Sequence, residues 1–296
     1  MTCKSRTQKS FYHAMTIDVE EYFQVSAFEN ILTSDAKLSL PRRAAYSTHK
    51  LLDLLADKNI EATFFTLSDL AQTEQSLIKR IVNEGHELAS HGIKHDRVRD
   101  LTAEQFFEDI SKSKKVLEDI SGALVTGYRA PSFSIGKDTP FAYDMLIEAG
   151  YRYSSSIHPI AHDHYGDANA HLDIHKPITG HDFYEYPITI LERFGKRFPI
   201  GGGGWFRLMP FFLYKKLLQQ ASRANRPMVF YTHPWEYDPD QPIIPNLPFK
   251  TRFRHYVNVS RTYDKLDKLL DIYQWTRCDA IIDTVRSRRL VTNNRL

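Results

Sequence analysis

The feature that most limits what this chain can fold into is a regular alternation of short strand-like runs with amphipathic helical stretches. Ala14–Val19 is an apolar run, and after a polar loop Tyr46–Lys58 places Leu51, Leu52, Leu54 and Leu55 on one face at helical spacing. Ala62–Leu67, rich in Thr and Phe, suits a strand, and residues 69–84 suit a helix with Leu77, Ile78, Ile81 and Val82 inward. The pair recurs as His86–Ser90 and Thr102–Ile120, then as Leu124–Tyr128 and Thr139–Gly150, where Gly150 fits a helix stop. A helix around Pro210–Arg223 precedes a last strand over Pro227–Thr232. Such alternation predicts an α/β fold, a parallel sheet with helices packed outside it. An open doubly wound sheet and a closed barrel both satisfy the pattern, and both gather functional residues at the carboxyl ends of the strands.

Two stretches interrupt it. Ser154–Tyr184 is long and loop-like, with histidines at 158, 162, 164, 171, 175 and 181, and Pro199–Trp205 contains four consecutive glycines. Both read as elaborations on one domain over residues 1–296, with a core at about 14–236 and a C-terminal extension at 237–296. With 42% hydrophobic residues the chain can bury a sizeable core. A net charge of +3, from 39 basic and 36 acidic residues, is too small and too evenly spread for a nucleic-acid partner. Cys3 and Cys278 lie near opposite ends and read as reduced thiols. The first residues lack the apolar core of a signal peptide, and nothing approaches the roughly 18 apolar residues of a membrane span. The expectation is cytoplasmic residence.

Chemistry-bearing residues stand where strands end. His91 and His95, four apart, would project from one face of a helical turn and could share a metal ion, although such pairs also occur by chance. Asp18 and Glu20, two apart on an extended backbone, face the same way and can converge, or can simply be solvated. A carboxylate with two histidines leaves a metal one open position. Arg129, stiffened by Pro131, could be a surface charge or could grip a carboxylate bidentately. His233 ends the last strand and is either structural or catalytic.

In this order the segments resemble the NodB-like polysaccharide deacetylases: TIDVEEYF at 16–23, SHGIKH at 90–95, RAPSF at 129–133 and THP at 232–234. More narrowly, DVEEYFQV, GGGGWFR at 201–207 and HPWE at 233–236 resemble the branch found in bacterial exopolysaccharide gene clusters. The resemblance implies a distorted (β/α) barrel with fewer than eight complete units and a divalent metal, commonly zinc. It implies Glu20, His91 and His95 as ligands, Asp18 as general base, Arg129 as the residue that orients that base, and His233 as general acid. Ser132, through its backbone N–H, would help stabilise the oxyanion. The chain departs from the commonest motif, which has adjacent aspartates, because Val19 fills the usual ligand position. Glu20 fits the shifted variant, and Glu21 is a weaker substitute because alternation turns it away.

The resulting expectation is N-deacetylation of an acetylated sugar in a polysaccharide, oligosaccharide or lipid-linked precursor, with carbohydrate as the partner and peripheral contact with a membrane-bound precursor. A small-amide hydrolase of the allantoinase-like kind and a non-catalytic carbohydrate-binding protein are the alternatives, the latter disfavoured by the complete set of matched residues. Phe133, Glu185, Trp205 and Trp235 are substrate-contact candidates, Glu185 being equally readable as a simple strand-end carboxylate, and Tyr165 and Tyr184 are candidate stacking platforms. The glycine run reads as a tight turn that brings Trp205 and Phe206 to the site. The basic tail, with Arg286, Arg288, Arg289 and Arg295, reads as solvated rather than lipid-bound.

Overall fold

The computed structural model describes residues 12–28, 31–160 and 166–293. Its framework is a parallel sheet built from β1 (Tyr12–Val19), β2 (Thr63–Thr66), β3 (Glu87–Ser90), β4 (Gly127–Tyr128), β5 (Tyr153–Ser154) and β6 (Tyr184–Glu185), each hydrogen-bonded to the next. An antiparallel hairpin follows, β7 (Ile190–Arg193) with β8 (Lys196–Pro199). The chain then returns through β9 (Val229–Thr232) and β10 (Gln274–Thr276), which both pair with β1 in parallel. A single bridge from Gly202 to Tyr231 joins the glycine run to β9. The expected incomplete barrel is the observed architecture.

Burial explains the strand pattern. In β1 every residue after Tyr12 is buried, as a strand covered on both faces requires. Ile17 and Val19 join the main core, whereas Thr16 and Asp18 face the barrel axis with Arg129. Outside the sheet, helix Ala44–Asp57 buries Leu51, Leu52, Leu54 and Leu55, each contributing about 1.5–3 kcal/mol of apolar burial. Helix Ala103–Ser121 begins at a capping box, in which the Thr102 hydroxyl accepts the Gln105 N–H and the Gln105 side chain accepts the Thr102 N–H. It ends at Gly122, whose φ of 71° only glycine adopts readily.

Two expectations change. The single helix over 69–84 is two, Ser68–Thr73 and Gln75–Asn83, broken at Glu74, where φ −118° and ψ 45° leave the helical region. The halves bury different sets, Leu70 and Ala71 in one and Leu77, Ile78 and Ile81 in the other, which one straight helix would not seat together. The C-terminal region is built into the fold. β10 pairs with β1, and Leu266, Leu269, Leu270 and Trp275 sit in the main core.

Candidate functional site

The carboxyl ends of β1, β3, β4 and β9 converge on a cleft of about 220 Å³ lined by Asp18, Glu20, His91, His95, Ser132, Phe133, His233 and Trp235. Arg129 lies beneath it, fully buried. Its Nη1 donates to Asp18 Oδ1 at 2.6 Å and to Thr16 Oγ1 at 2.8 Å. Its Nε and Nη2 donate to the carbonyl and hydroxyl of Ser155, both at 3.0 Å, and the guanidinium lies 4.1 Å from the centre of the Phe65 ring. With its donors committed on several sides the arginine cannot swing, so Asp18 is held with Oδ2 toward His233, 3.9 Å away.

The histidine pair does not sit on a helical turn. Gly92 and His95 have φ of 82° and 72°, so residues 91–95 form a loop. The Gly92 carbonyl is taken by the Ser68 N–H and the Ser113 hydroxyl, which leaves it no part in a helical ladder. The loop still brings the rings together, 5.4 Å between centroids. His91 Nδ1 stands 2.8 Å from the Arg129 carbonyl, which can only accept, so Nδ1 carries the proton and Nε2 keeps its lone pair. Burial lowers the His91 pKa to about 4 and keeps the ring neutral.

Glu20 Oε2 lies 2.7 Å from His95 Nε2 and 4.0 Å from His91 Nε2, and the three donor atoms fall within 4.8 Å of one another. Oε2 is buried with no directed hydrogen bond. Burial raises the Glu20 pKa, but His95 first and then His233 outweigh it and hold the carboxyl at about 2. An ionised, buried carboxylate oxygen within reach of two imidazoles fits a divalent cation. Among the described residues this is the one group of potential ligands close enough to share an ion. Glu21 turns away and accepts the backbone N–H groups of Arg43 and Ala44 at the start of helix Ala44–Asp57.

On the other wall, His233 Nε2 lies 3.7 Å from Glu20 Oε1, and its Nδ1 lies 3.6 Å from Glu236 Oε1. Burial alone would lower the His233 pKa, but Glu20, Glu236 and Asp18 together raise it to about 9, so the imidazole is protonated at neutral pH. Glu236 is itself held: Thr232 Oγ1 donates to Oε2 at 2.5 Å, and Arg207 Nε lies 3.3 Å from Oε1. Trp235 stacks on His233 at 5.4 Å and on His255 at 4.3 Å, which fixes the plane of the His233 ring. Sequence reasoning gave Glu236 and Arg207 no role. The available signal was an acid in HPWE and a base in GGGGWFR, both buried here.

Ser132 and Phe133 line the cleft with φ of 55° and 51°, left-handed values unusual for two consecutive non-glycine residues. Glu185 is not at the cleft. It is fully buried, and its Oε1 accepts the N–H groups of Ser156 and Ile157 at 2.9 Å, so it serves the loop that supports Arg129. Trp205 also lies outside. Gly202 presses on β9 so closely that a Cβ would come 1.9 Å from the Tyr231 carbonyl oxygen. The chain then turns into helix Gly203–Leu208, where Gly203 and Gly204 line the cleft, Trp205 points to a separate apolar slot and Phe206 enters the core. Tyr184 is buried rather than a stacking platform. Tyr165, His162, His164, Cys3 and Arg295, and the side chain of Arg289, lie outside the described residues. Cys278 is a buried free thiol, and Arg286 pairs with Asp182 at 2.5 Å.

Residues 32–154 match the family model described as polysaccharide deacetylase, and residues 155–283 match a domain of unknown function, DUF3473. A peptidoglycan deacetylase of Helicobacter pylori is 31% identical over 108 residues, covering 36% of either chain. A peptidoglycan-N-acetylglucosamine deacetylase of Bacillus cereus is 32% identical over 84 residues, 28% of this chain and 30% of that one. The chain thus spans about a third of the length of these relatives. A crystal structure from Mycobacterium smegmatis, described as a presumed polysaccharide deacetylase, superposes over 97% of this chain and 94% of its own. Its TM-score is 0.64 at 17% identity, which speaks for the fold.

Proposed function

Because residues 32–154 match the polysaccharide deacetylase family model, we propose a metal-dependent N-deacetylase that releases acetate from an N-acetylated sugar. One observation carries the reading. Two charge-fixed groups, Asp18 on Arg129 and His233 on Glu236, converge on the cluster of Glu20, His91 and His95. An amide needs a base to activate water and an acid to protonate the leaving nitrogen, and the cleft offers one of each on different strands.

Glu20, His91 and His95 would hold the ion. Bound there, a divalent metal supplies Lewis-acid polarisation of the acetyl carbonyl and of water. Asp18 Oδ2, the oxygen that Arg129 leaves open, takes the proton from the attacking water as the new C–O bond forms. The ion pair keeps Asp18 ionised and aimed. His233 Nε2–H then donates to the amide nitrogen as the C–N bond breaks, and the free amine leaves. The Ser132 backbone N–H is proposed to meet the oxyanion. Glu236 keeps His233 charged before the transfer.

Zinc is the metal proposed, and the mixed carboxylate and imidazole donor set supports it. A role in exopolysaccharide synthesis, on a lipid-linked or oligosaccharide precursor, draws its support from the DVEEYFQV, GGGGWFR and HPWE segments. Cytoplasmic residence belongs to the same proposal, and recovery of the protein in a periplasmic or secreted fraction would contradict it. The reading is tested by offering metal-loaded protein a panel of N-acetylated oligosaccharides beside ureides. Acetate from the sugars supports it; ammonia or ring opening from the ureides with no acetate replaces it by a small-amide hydrolase.

A further inference from the structure

The separate slot beside Trp205 stands among exposed aromatic and aliphatic side chains. Phe194 is 85% exposed, Phe212 77% and Trp205 46%, and Phe198, Leu208 and Leu213 are exposed with them. Scattered apolar side chains on a surface need no explanation, but these belong to adjoining elements. Phe194 is at the tip of the β7–β8 hairpin, helix Phe211–Ser222 packs against β7, and between them lies an apolar slot of about 170 Å³. Leu191, Phe198, Ile200, Trp205, Met209 and Leu217 form its walls, with Arg193 at the edge.

Charge along this stretch of chain is one-sided. Glu192 is the only acid between Tyr186 and Arg223, and its carboxylate is engaged by Arg197 at 3.4 Å. Arg193, Lys196, Lys215 and Lys216 are exposed on the same elements. In a chain of net charge +3 this is a local concentration, not a general excess. A glycan would need hydrogen-bonding groups among the aromatics, and the slot walls are nearly all apolar. An aliphatic chain fits such walls, and anionic headgroups fit the surrounding cations.

We propose that the β7–β8 hairpin and residues 205–217 form a docking face for an anionic lipid bilayer, with Phe194, Trp205 and Phe212 entering the headgroup region. The face borders the cleft directly: Gly203 and Gly204 line the cleft, and Trp205, the next residue, lines the slot. A docked chain therefore carries its cleft at the membrane surface. That consequence rests on the deacetylase reading, whereas the lipid contact itself does not.

The test is co-sedimentation of the full chain with vesicles of equimolar phosphatidylglycerol and phosphatidylcholine, against phosphatidylcholine alone. Binding is expected to be at least about tenfold tighter to the anionic vesicles and to weaken by about tenfold in high salt. The exposed pairs Phe194→Ser with Phe212→Ser, and Lys196→Glu with Lys216→Glu, should each weaken it by about tenfold or more. Their thermal midpoints and their acetate release from soluble oligosaccharide should stay at wild type. Failure of the wild type to sediment with anionic vesicles, or variants that sediment like it, overturns the proposal. So does a concentration-dependent dimer without vesicle binding that the phenylalanine pair abolishes, which would assign the face to a second copy of the chain.

Discussion

Arg129, at the end of β4, reaches across two intervening strands to Asp18 on β1 and holds it at 2.6 Å, with neither side chain more than marginally exposed. A buried pair of this kind is costly to break from one side, because the surviving charge loses its partner in a medium that solvates it poorly. Replacing Arg129 by Met should therefore destabilise the fold by about 3–5 kcal/mol in urea unfolding. Asp18→Asn keeps the shape and a hydrogen-bond acceptor, and should cost less stability while abolishing turnover. Equal losses of stability in the two variants would contradict the asymmetry.

Glu236 acts on the reaction through His233. Its removal should lower the His233 pKa from about 9, because one of the negative charges that offset burial is gone. An acid must be protonated to work, so the alkaline limb of the activity profile should move to lower pH in Glu236→Gln. At pH 7 activity should fall by about tenfold or more, and metal content should stay unchanged. A variant with the wild-type profile would assign Glu236 to structure alone.

Metal binding should be visible without any substrate. Removing metal with a chelator and returning zinc at about 100 times its dissociation constant should stabilise the protein by about 2.7 kcal/mol, a rise of about 5 °C in thermal midpoint for a chain of this size. His91→Ala and His95→Ala should each lose that rise and the stoichiometric metal. A full rise in either variant would move the ion away from Glu20, His91 and His95.

Two histidines far from the cleft set an acid limit. His13 Nδ1 accepts the Met228 N–H and His86 Nδ1 accepts the Ala62 N–H, and burial lowers both pKa values to about 4. Because the folded pKa lies below the unfolded 6.5, their stabilisation is complete above that value and is lost as pH falls toward 4. Between pH 7 and 5.5 each should contribute a loss of about 1 kcal/mol. The double variant His13→Gln, His86→Gln should show a flatter dependence of thermal midpoint on pH in that window.

What the sequence reveals and what it hides follow from the range of the interactions. β1, β2, β3 and β9 are legible because each is long enough for a buried run to stand out between helical stretches. β4 is announced by the run Leu124–Tyr128, of which only Gly127 and Tyr128 pair as strand, whereas β5 and β6 have two residues each and exist only as neighbours in register, so no local pattern announces them. β10 is likewise three residues inside a stretch that reads as an extension. At the site, Asp18 and Glu20 are exposed to reasoning by strand alternation, and His91 and His95 by their spacing, although a glycine loop and not a helix joins them. Arg207 and Glu236 meet only through packing. Glu185 misleads because a strand-end carboxylate can as readily hold backbone N–H groups as face a substrate. Trp205 misleads because the turn that precedes it sends it outward.

The central claim is a hydrolysis that couples Asp18 and His233 at one metal cleft, and its most direct measurement is the product balance on an N-acetylated oligosaccharide. Metal-loaded wild type should release acetate and free sugar amine in equal amounts, and Asp18→Asn, with its metal retained, should release neither. Acetate release that persists in Asp18→Asn, or its absence from the fully metallated wild type across the oligosaccharide panel, would contradict the account.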